Sequence, residues 1–597
     1  MLSSPGPLEG PDPIAGAVVT AGRRPAKEVP VSDETALEIS WDRERRGRPE
    51  VRSATGGLLP VPQGTACLAS WGRLIDPAAL ARRARAPFDA PLGSVLGLRY
   101  RQVGFRLADE IEGSLCAVLW DEERQSLVAL RDRTGLGAGV CWAIEGGRLL
   151  LALSASRLAR SLDRPVRPDS TSVLLHLHGH GLLPGHTFHD GVSEVPPGSW
   201  LVAGARAVEV REYWSVDAEI ADEDRDEREV ADELRELLLE IGRDWGSSRP
   251  AAVSLSGGMD SPSIAAAVRR AAPEGRLLAI HHTTAPLEAC GESGLAREVA
   301  RHLGLRMRSF DGTERWPLRD ADGPLTGPDS PYRPTYAEVW EETFRIAAAE
   351  GAPVLLTGAG GDHLFAGPRA YEYPDLLSAG RWRELVTRWR RHPEPRPSGR
   401  QVVSATLHAA LPDELVASRY RVDWLARSRR GEWARAFAAL QPSPRAPSRR
   451  ELTFALRDGM VPIAARTLED MARPHGVELR HPYFDRRLIE LAARLPTGLA
   501  AANGLRKRIL REAVRPWLPA ALVERREKIM PVEIIDRGLR ERETRRVWEL
   551  LTGMRAAEAG WVDEERARRG YWEYLAGRGD LRLWHAVTLE SWLRHWF

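Results

Sequence analysis

The sequence predicts an α/β protein of two domains, and three observations predict it. The first third consists of short apolar runs broken by Gly, Pro and Asp; residues 215–229 are acidic and polar with no core-forming period; beyond them strands alternate with helices. Alternation of that last kind implies βαβ units and a parallel sheet. At 597 residues the chain also exceeds what one hydrophobic core supports. The expected layout is a poorly ordered Pro- and Gly-rich start at 1–12, a first domain over 13–215, an acidic linker at 216–229 and a second domain over 230–597.

Within the first domain, AGAVVTAG, GSLCAVLWDEERQSLVALRDR and GRLLLALSA read as strands. Residues 115–120 and 126–130 flank a polar turn after Asp121 and predict a hairpin. Residues 173–183 have helical spacing until Pro184 and Gly185 interrupt it. In the second domain, residues 230–241 place Leu234, Leu237, Leu238 and Ile241 at helical spacing. A strand at 251–255 follows, then a glycine turn, a helix from Pro262, a strand at 277–281, a helix at 293–303 and a strand at 353–356. From about Arg381 the pattern is mostly helical and ends in a Trp-rich tail, with no internal repeat.

Composition narrows the function. Hydrophobic residues make up 43% and charged residues 28%, the profile of a folded globular protein. Lys plus Arg number 85 against 83 Asp plus Glu, so a net charge of +2 supplies no field to hold a polyanion, and nucleic acid is not an expected partner. Cys67, Cys116, Cys141 and Cys290 show no CxxC spacing, which speaks against a zinc knuckle or a disulfide framework. No apolar run approaches the roughly 20 residues a bilayer span needs, and the start lacks the order of a signal peptide, so a soluble, cytoplasmic protein with no membrane association is expected.

The most informative segment is Val253-Ser254-Leu255-Ser256-Gly257-Gly258-Met259-Asp260-Ser261-Pro262. An apolar strand runs into two glycines, then Asp and Ser, with Pro262 where a first helical turn tolerates a missing N–H. At the carboxyl end of a parallel strand, bare glycine backbone and a helix N-terminus suit a phosphate. A capped tight turn would use similar residues, but five fixed residues of this kind recur by chance in on the order of one in a thousand chains this long. No GxxxxGK[ST] occurs, so this is not a Walker loop.

This string resembles the SGGxDS pyrophosphate loop of the ATP-pyrophosphatase enzymes, and further matches narrow the resemblance to the asparagine synthetase superfamily. The superfamily's second signature, approximately GEGxDExFGG, is matched by Thr357-Gly358-Ala359-Gly360-Gly361-Asp362-His363-Leu364-Phe365-Ala366-Gly367. Leu479-Arg480-His481-Pro482-Tyr483-Phe484-Asp485 is similar to RxPFLD, followed by residues 504–510 and by Glu524-Arg525-Arg526-Glu527-Lys528. The resemblance implies ATP bound by Leu255, Ser256, Gly257, Gly258, Asp260, Ser261 and Gly358. It further implies Mg2+ on Asp260 and Asp362, and Lys528 as the catalytic lysine. Alone, Asp362 would be an ordinary loop or cap residue, and Lys528 one of a solvated charge run. Tyr336 and Glu338 are candidates for the proton acceptor by position only, and His281 and His282 end a strand beside the site.

The first domain resembles the same superfamily. Glu112 to Asp121 looks like its "GxFAfalwD" strand, Ala129 to Gly135 its "aRDrxG" segment, and Val195-Pro196-Pro197-Gly198 with Glu212-Tyr213-Trp214 its closing elements. The implied fold is a glutaminase-like, N-terminal-nucleophile αββα domain, joined to an adenine-nucleotide-hydrolase-like parallel α/β domain with added helices. Active glutaminases of this kind begin Met-Cys, whereas residue 2 is Leu2 and no cysteine lies near the start, so this domain is expected to release no ammonia. Two groups in the superfamily with such domains close rings: the β-lactam synthetases and the lasso peptide cyclases. The TGxGGDxLF and SGGMDS forms look more like the latter. The expectation is therefore an ATP-dependent cyclase that adenylates an Asp or Glu side chain of a precursor peptide, which the peptide's N-terminal amine then attacks. A leader peptidase and a leader-binding protein are possible further partners. The alternatives are ring closure of a small β-amino acid, asparagine synthesis from free ammonia, and an inactive peptide-binding scaffold.

Overall fold

The computed structural model describes residues 38–597 apart from internal stretches, the longest of which are 285–290, 366–372, 392–397, 401–410, 442–452 and 527–532. The AGAVVTAG run and the Pro- and Gly-rich start lie outside the described residues.

The first domain contains β1 (Glu38–Asp42), β2 (Glu50–Arg52), β3 (Leu58–Leu59), β4 (Ala66–Leu74), β5 (Gly113–Asp121), β6 (Ser126–Arg131), β7 (Cys141–Glu145), β8 (Arg148–Ala152), β9 (Ser193–Glu194), β10 (Ser199–Ala203) and β11 (Val208–Glu212). They form two sheets, ordered β3-β2-β1-β8-β7-β9 and β11-β10-β6-β5-β4. The expected hairpin is β5–β6, closed where Asp121 pairs with Ser126. Period-two alternation explains how the sheets stack. On β5, Leu115, Ala117 and Leu119 face Leu80, Leu96 and Tyr100 of the helices Pro77–Ala84 and Leu92–Val103. The intervening Cys116, Val118 and Trp120 face Ile39, Trp41 and Leu149 of the other sheet. That sheet's far side, Cys141, Ala143 and Ala152, is covered by the helix Ala155–Arg160. The result is the αββα order of layers.

The expected helix at 173–183 is shorter: it runs Ser170–Leu177, capped by Asp169, whose carboxylate accepts from the Ser172 amide. Gly179, at φ +79°, turns the chain before Leu182 and Leu183 can continue it.

The second domain begins with the helix Glu227–Trp245, capped by Asp226, longer at both ends than the apolar spacing alone predicts. Its sheet holds β12 (Ala251–Ser254), β13 (Leu277–Thr283), β14 (Arg306–Asp311), β15 (Val354–Leu356) and β16 (Glu478–Arg480), in the order β14-β13-β12-β15-β16, and every pairing is parallel. Val253 and Leu356 point into one core while Ala252 and Leu355 point into another, so helices cover both faces. β14 and β16 carry no strand signature. β14 is a mostly exposed edge of RMRSFD, and β16 is three residues long, held by backbone bonds to β15. Among the described residues no helix is long and apolar enough to cross a membrane.

The domains share a core. Val173, Leu174, Leu175 and Leu177 pack with Trp433, Trp584 and Trp592 of the second domain. Glu194 of β9 pairs with Arg131 at 2.7 Å and with Arg466 across the interface. Burial alone would raise its carboxyl; the two guanidiniums outweigh it and draw Glu194 down to about 2.

Two histidines lie in the shared core. His178 donates from Nδ1 to the Leu174 carbonyl at 2.7 Å and stacks on Trp433 with ring centroids 3.5 Å apart. Burial pushes it from the ordinary 6.5 down to about 3, and pushes His176, beside His585, well below 6.5. As pH falls below about 6.5 the unfolded chain takes up protons that these native imidazoles refuse, so folding stability must fall across that window and is fully present above it. Denaturant titrations should show a loss of up to ~1.4 kcal/mol per pH unit for each histidine, and His178→Gln should flatten the slope by one such share.

Candidate nucleotide-binding site

Three loops meet at the carboxyl edge of the parallel sheet. The first follows β12. Leu255 continues the ladder, donating to the Ile280 carbonyl at 2.8 Å, and residues 256–259 then curl on themselves. The Ser256 amide donates to Ser261 Oγ at 2.8 Å, and the Gly258 amide to Ser256 Oγ at 3.2 Å. The helix Asp260–Ala271 starts at once, so its first amides have no carbonyl within the helix and face the loop.

The second loop follows β15 and leads into the helical turn Gly361–Phe365. It lies against the first through bare backbone: a Cβ at position 358 would stand 2.5 Å from the Ser261 amide nitrogen, and one at 361 would stand 2.3 Å from Asp260 Oδ1. Glycine at these two positions is therefore a packing requirement. The third segment follows β16. Thr357 donates its amide to the Arg480 carbonyl at 3.0 Å, and its hydroxyl meets His481 Nδ1 at 2.7 Å. Tyr483 donates to the Asp260 carbonyl at 3.3 Å, which ties all three loops together.

Asp260 and Asp362 thus arrive on the same side of the loops, and Lys507 shows how close they are. Its ammonium lies 2.5 Å from Asp260 Oδ2 and 2.9 Å from Asp362 Oδ1. One cation reaches both carboxylates. Lys507 is nearly buried and has φ +59°, a left-handed conformation that costs a residue with a Cβ about 1–2 kcal/mol. It immediately precedes the helix Arg508–Val514, so the backbone is turned to aim this side chain between the two acids.

The site is fit for a divalent metal held jointly with phosphate. Two hard carboxylate oxygens converge on the Lys507 ammonium, and among the described residues no cluster of three or more His, Cys, Asp or Glu would hold a metal alone. Magnesium characteristically takes one or two carboxylates and completes its shell with water and phosphate oxygens.

The other candidates are placed as follows. Leu255, Ser256, Gly257, Gly258 and Ser261 are together in the first loop, and Gly358 of the second loop packs against it. Lys528 lies outside the described residues. Glu338 accepts from Arg333 at 2.9 Å, and Arg333 also donates to the Leu325 carbonyl, so this carboxylate secures the loop ahead of the helix Ala337–Ala349. Tyr336 precedes the same helix; burial raises its phenol, and Glu533 and Glu292 raise it further. His281 donates from Nδ1 to the Leu255 carbonyl at 2.9 Å and accepts at Nε2 from Ser293 Oγ, a structural pairing under the loop. Burial, with His281 beside it, draws His282 down to about 4.

Two residues here had no role in the sequence reading. Lys507 falls within the quoted stretch 504–510, and composition could have marked it: of 85 basic residues only Lys27, Lys507 and Lys528 are lysine. Glu292, which accepts from the Gly257 amide at 3.2 Å, carries no local signal; its partner is 35 residues away.

In the first domain, Cys67, Cys116 and Cys141 are free thiols. Burial pushes Cys67 and Cys116 up to about 12 and Cys141 well above its ordinary value, so none supplies a thiolate near neutrality. Cys290 lies outside the described residues.

Comparison with known proteins agrees with the geometry. The asparagine synthase family model matches residues 233–594, and the glutamine amidotransferase domain model matches residues 93–214. Amidase chry2 of Gibberella zeae is 28% identical over 327 residues, covering 48% of this chain and 45% of that protein. Amidase chyE of Penicillium rubens is 28% identical over 300 residues, covering 47% and 43%. The glutamine-hydrolyzing asparagine synthetase 3 of Bacillus subtilis is 30% identical over 161 residues, 26% of each chain. The chain therefore spans less than half the length of the curated relatives it matches.

Proposed function

Because the chain belongs to the asparagine synthase family, we propose that it is an ATP-dependent carbon–nitrogen ligase that closes a macrolactam in a precursor peptide. The observation that carries the first half is the convergence of Asp260 and Asp362 on one ammonium, beside the amides of the Ser256–Ser261 loop. The second half is supported by the cysteines: burial holds the described thiols of the first domain protonated, which favours a nitrogen that does not come from glutamine.

In this reading a peptide Asp or Glu carboxylate oxygen attacks the α-phosphorus of ATP, and the bond to the β-phosphate breaks. The loop amides and the N-terminus of the helix Asp260–Ala271 receive the departing pyrophosphate. Magnesium held by Asp260 and Asp362 would supply neutralisation of phosphate charge. The peptide's N-terminal amine then attacks the acyl carbon, AMP departs with the bonding pair, and the amine's extra proton passes to base or solvent. Lys528 stabilises the oxyanion of that second step. The peptide's own chain delivers the amine, so effective concentration rather than collision sets the second rate. A leader-binding protein and a leader peptidase would act before this enzyme, exposing the amine.

The test is mass spectrometry of the products with ATP, magnesium and linear peptides bearing an acid at varied ring positions. Cyclisation gives loss of one water from the peptide with one AMP per ring. Loss of water from a small β-amino acid, or free asparagine formed from aspartate and ammonia, would replace this reading with another ligase. Absence of AMP with every substrate class would leave a scaffold.

A further inference from the structure

We propose that Leu136, in the first domain, is a positioning residue for the nucleotide site of the second: with Ala465 it backs the Phe484 ring, and that ring holds the turn that carries Asp362. The proposal rests on the reading that Asp362 serves magnesium and phosphate. Leu136, Ala465 and Phe484 form one small buried cluster, with Leu456 and Val461 packed against it. Leu136 follows β6, Ala465 lies in the helix Met460–Ala472, and Phe484 belongs to the segment after β16. On its far side Phe484 meets the second loop. Gly360 has φ +99°, and a Cβ there would stand 3.0 and 3.1 Å from two atoms of the Phe484 ring, so ring and backbone already touch. The Gly360 carbonyl accepts from the Leu364 amide at 3.0 Å, the bond that opens the helical turn Gly361–Phe365 on which Asp362 sits. A ring free to settle away from Gly360 would free that turn.

The chain that presents Leu136 is fixed. Asp132 Oδ1 accepts from the Gly135 amide at 2.7 Å and from the Thr134 amide at 3.0 Å, and Arg131 donates to the Gly135 carbonyl at 3.1 Å. Arg131 also pairs with Glu194, which reaches Arg466, the neighbour of Ala465. The same ion pairs thus clamp both halves of the cluster. Close-packed interiors pass a displacement on rather than absorb it.

The measurement is calorimetric binding of inorganic pyrophosphate, with magnesium, to the full-length protein, together with its melting temperature. Leu136→Ala leaves a void behind the Phe484 ring and is expected to weaken binding about tenfold, within the range that packed, coupled positions give. Leu151→Ala removes an equally buried leucine from between the two sheets of the first domain. It should lower the melting temperature as Leu136→Ala does, yet leave binding within about twofold of the parent, because a modest loss of stability leaves nearly every molecule folded. Phe484→Leu combined with Leu136→Ala should bind about as weakly as Phe484→Leu alone, since the one acts through the other. Binding by Leu136→Ala within about twofold of the parent, an equal loss in Leu151→Ala, or additive losses in the double variant overturns the proposal alone. Should the alanine variant not fold, Leu136→Val carries the same comparison with an expected loss of about threefold, and no loss overturns the proposal. Failure of the parent protein to bind pyrophosphate overturns the nucleotide-site reading and this inference with it.

Discussion

Asp260→Ala is expected to lower conversion of ATP to AMP by at least ~10³-fold, a loss of about 4 kcal/mol in transition-state stabilisation. The carboxylate does two things that no neighbour can take over. It presents one of the two carboxylates that converge at the loops, and it receives the Lys507 ammonium at 2.5 Å. Removing it leaves Asp362 alone, at the start of a five-residue helix and more exposed than its partner. Folding should survive, because Tyr483 bonds the Asp260 carbonyl and not its side chain. Radiolabelled ATP with substrate, followed by separation of AMP, measures the effect; turnover within tenfold of the parent would remove Asp260 from the chemistry.

Lys507→Ala should move two observables in opposite directions. Without the ammonium, two carboxylates that both lay within 3 Å of it lose the cation they share, and Arg506, 3.7 Å from Asp362, offsets only part of that loss. Two like unit charges about 5 Å apart repel by about 3 kcal/mol for an effective dielectric of 20. A divalent ion relieves that repulsion, so the variant should bind Mg2+ without nucleotide at least ~10-fold more tightly than the parent. Turnover should fall ~10²-fold or more, because a cation aimed at transferring phosphate is lost. Lys507→Arg should not restore it: the guanidinium is a wide planar fork, and the gap accepts a compact point charge. Weaker magnesium binding by the alanine variant would show that Lys507 does not compete for the metal's ligands.

That lysine also shows how far the site was legible in the residues alone. Asp260 and Asp362 were recognisable because each stands in a glycine frame, and those glycines are dictated by contacts: a Cβ at 358 or 361 would collide with the first loop. Lys507 has no such frame. Its meaning comes from a left-handed backbone and two partners 247 and 145 positions away, and only the scarcity of lysine among 85 basic residues points to it. Glu292 was invisible because its partner is a backbone amide, which has no letter in the sequence. The fold followed the same rule. β5 and β6 were legible from alternation, whereas β16 is a strand only because β15 offers it a ladder.

The helix Ser170–Leu177 gives the first domain a lasting reason to exist. Its Val173, Leu174, Leu175 and Leu177 are fully covered, and Trp433, Trp584 and Trp592 are among the residues that share their cluster. A truncated chain beginning after this helix would open an oily gash along its last helix and the helix Arg430–Leu440, where three indoles meet water. A first domain stripped of any chemistry of its own would therefore still be required, because the second domain uses it as a wall.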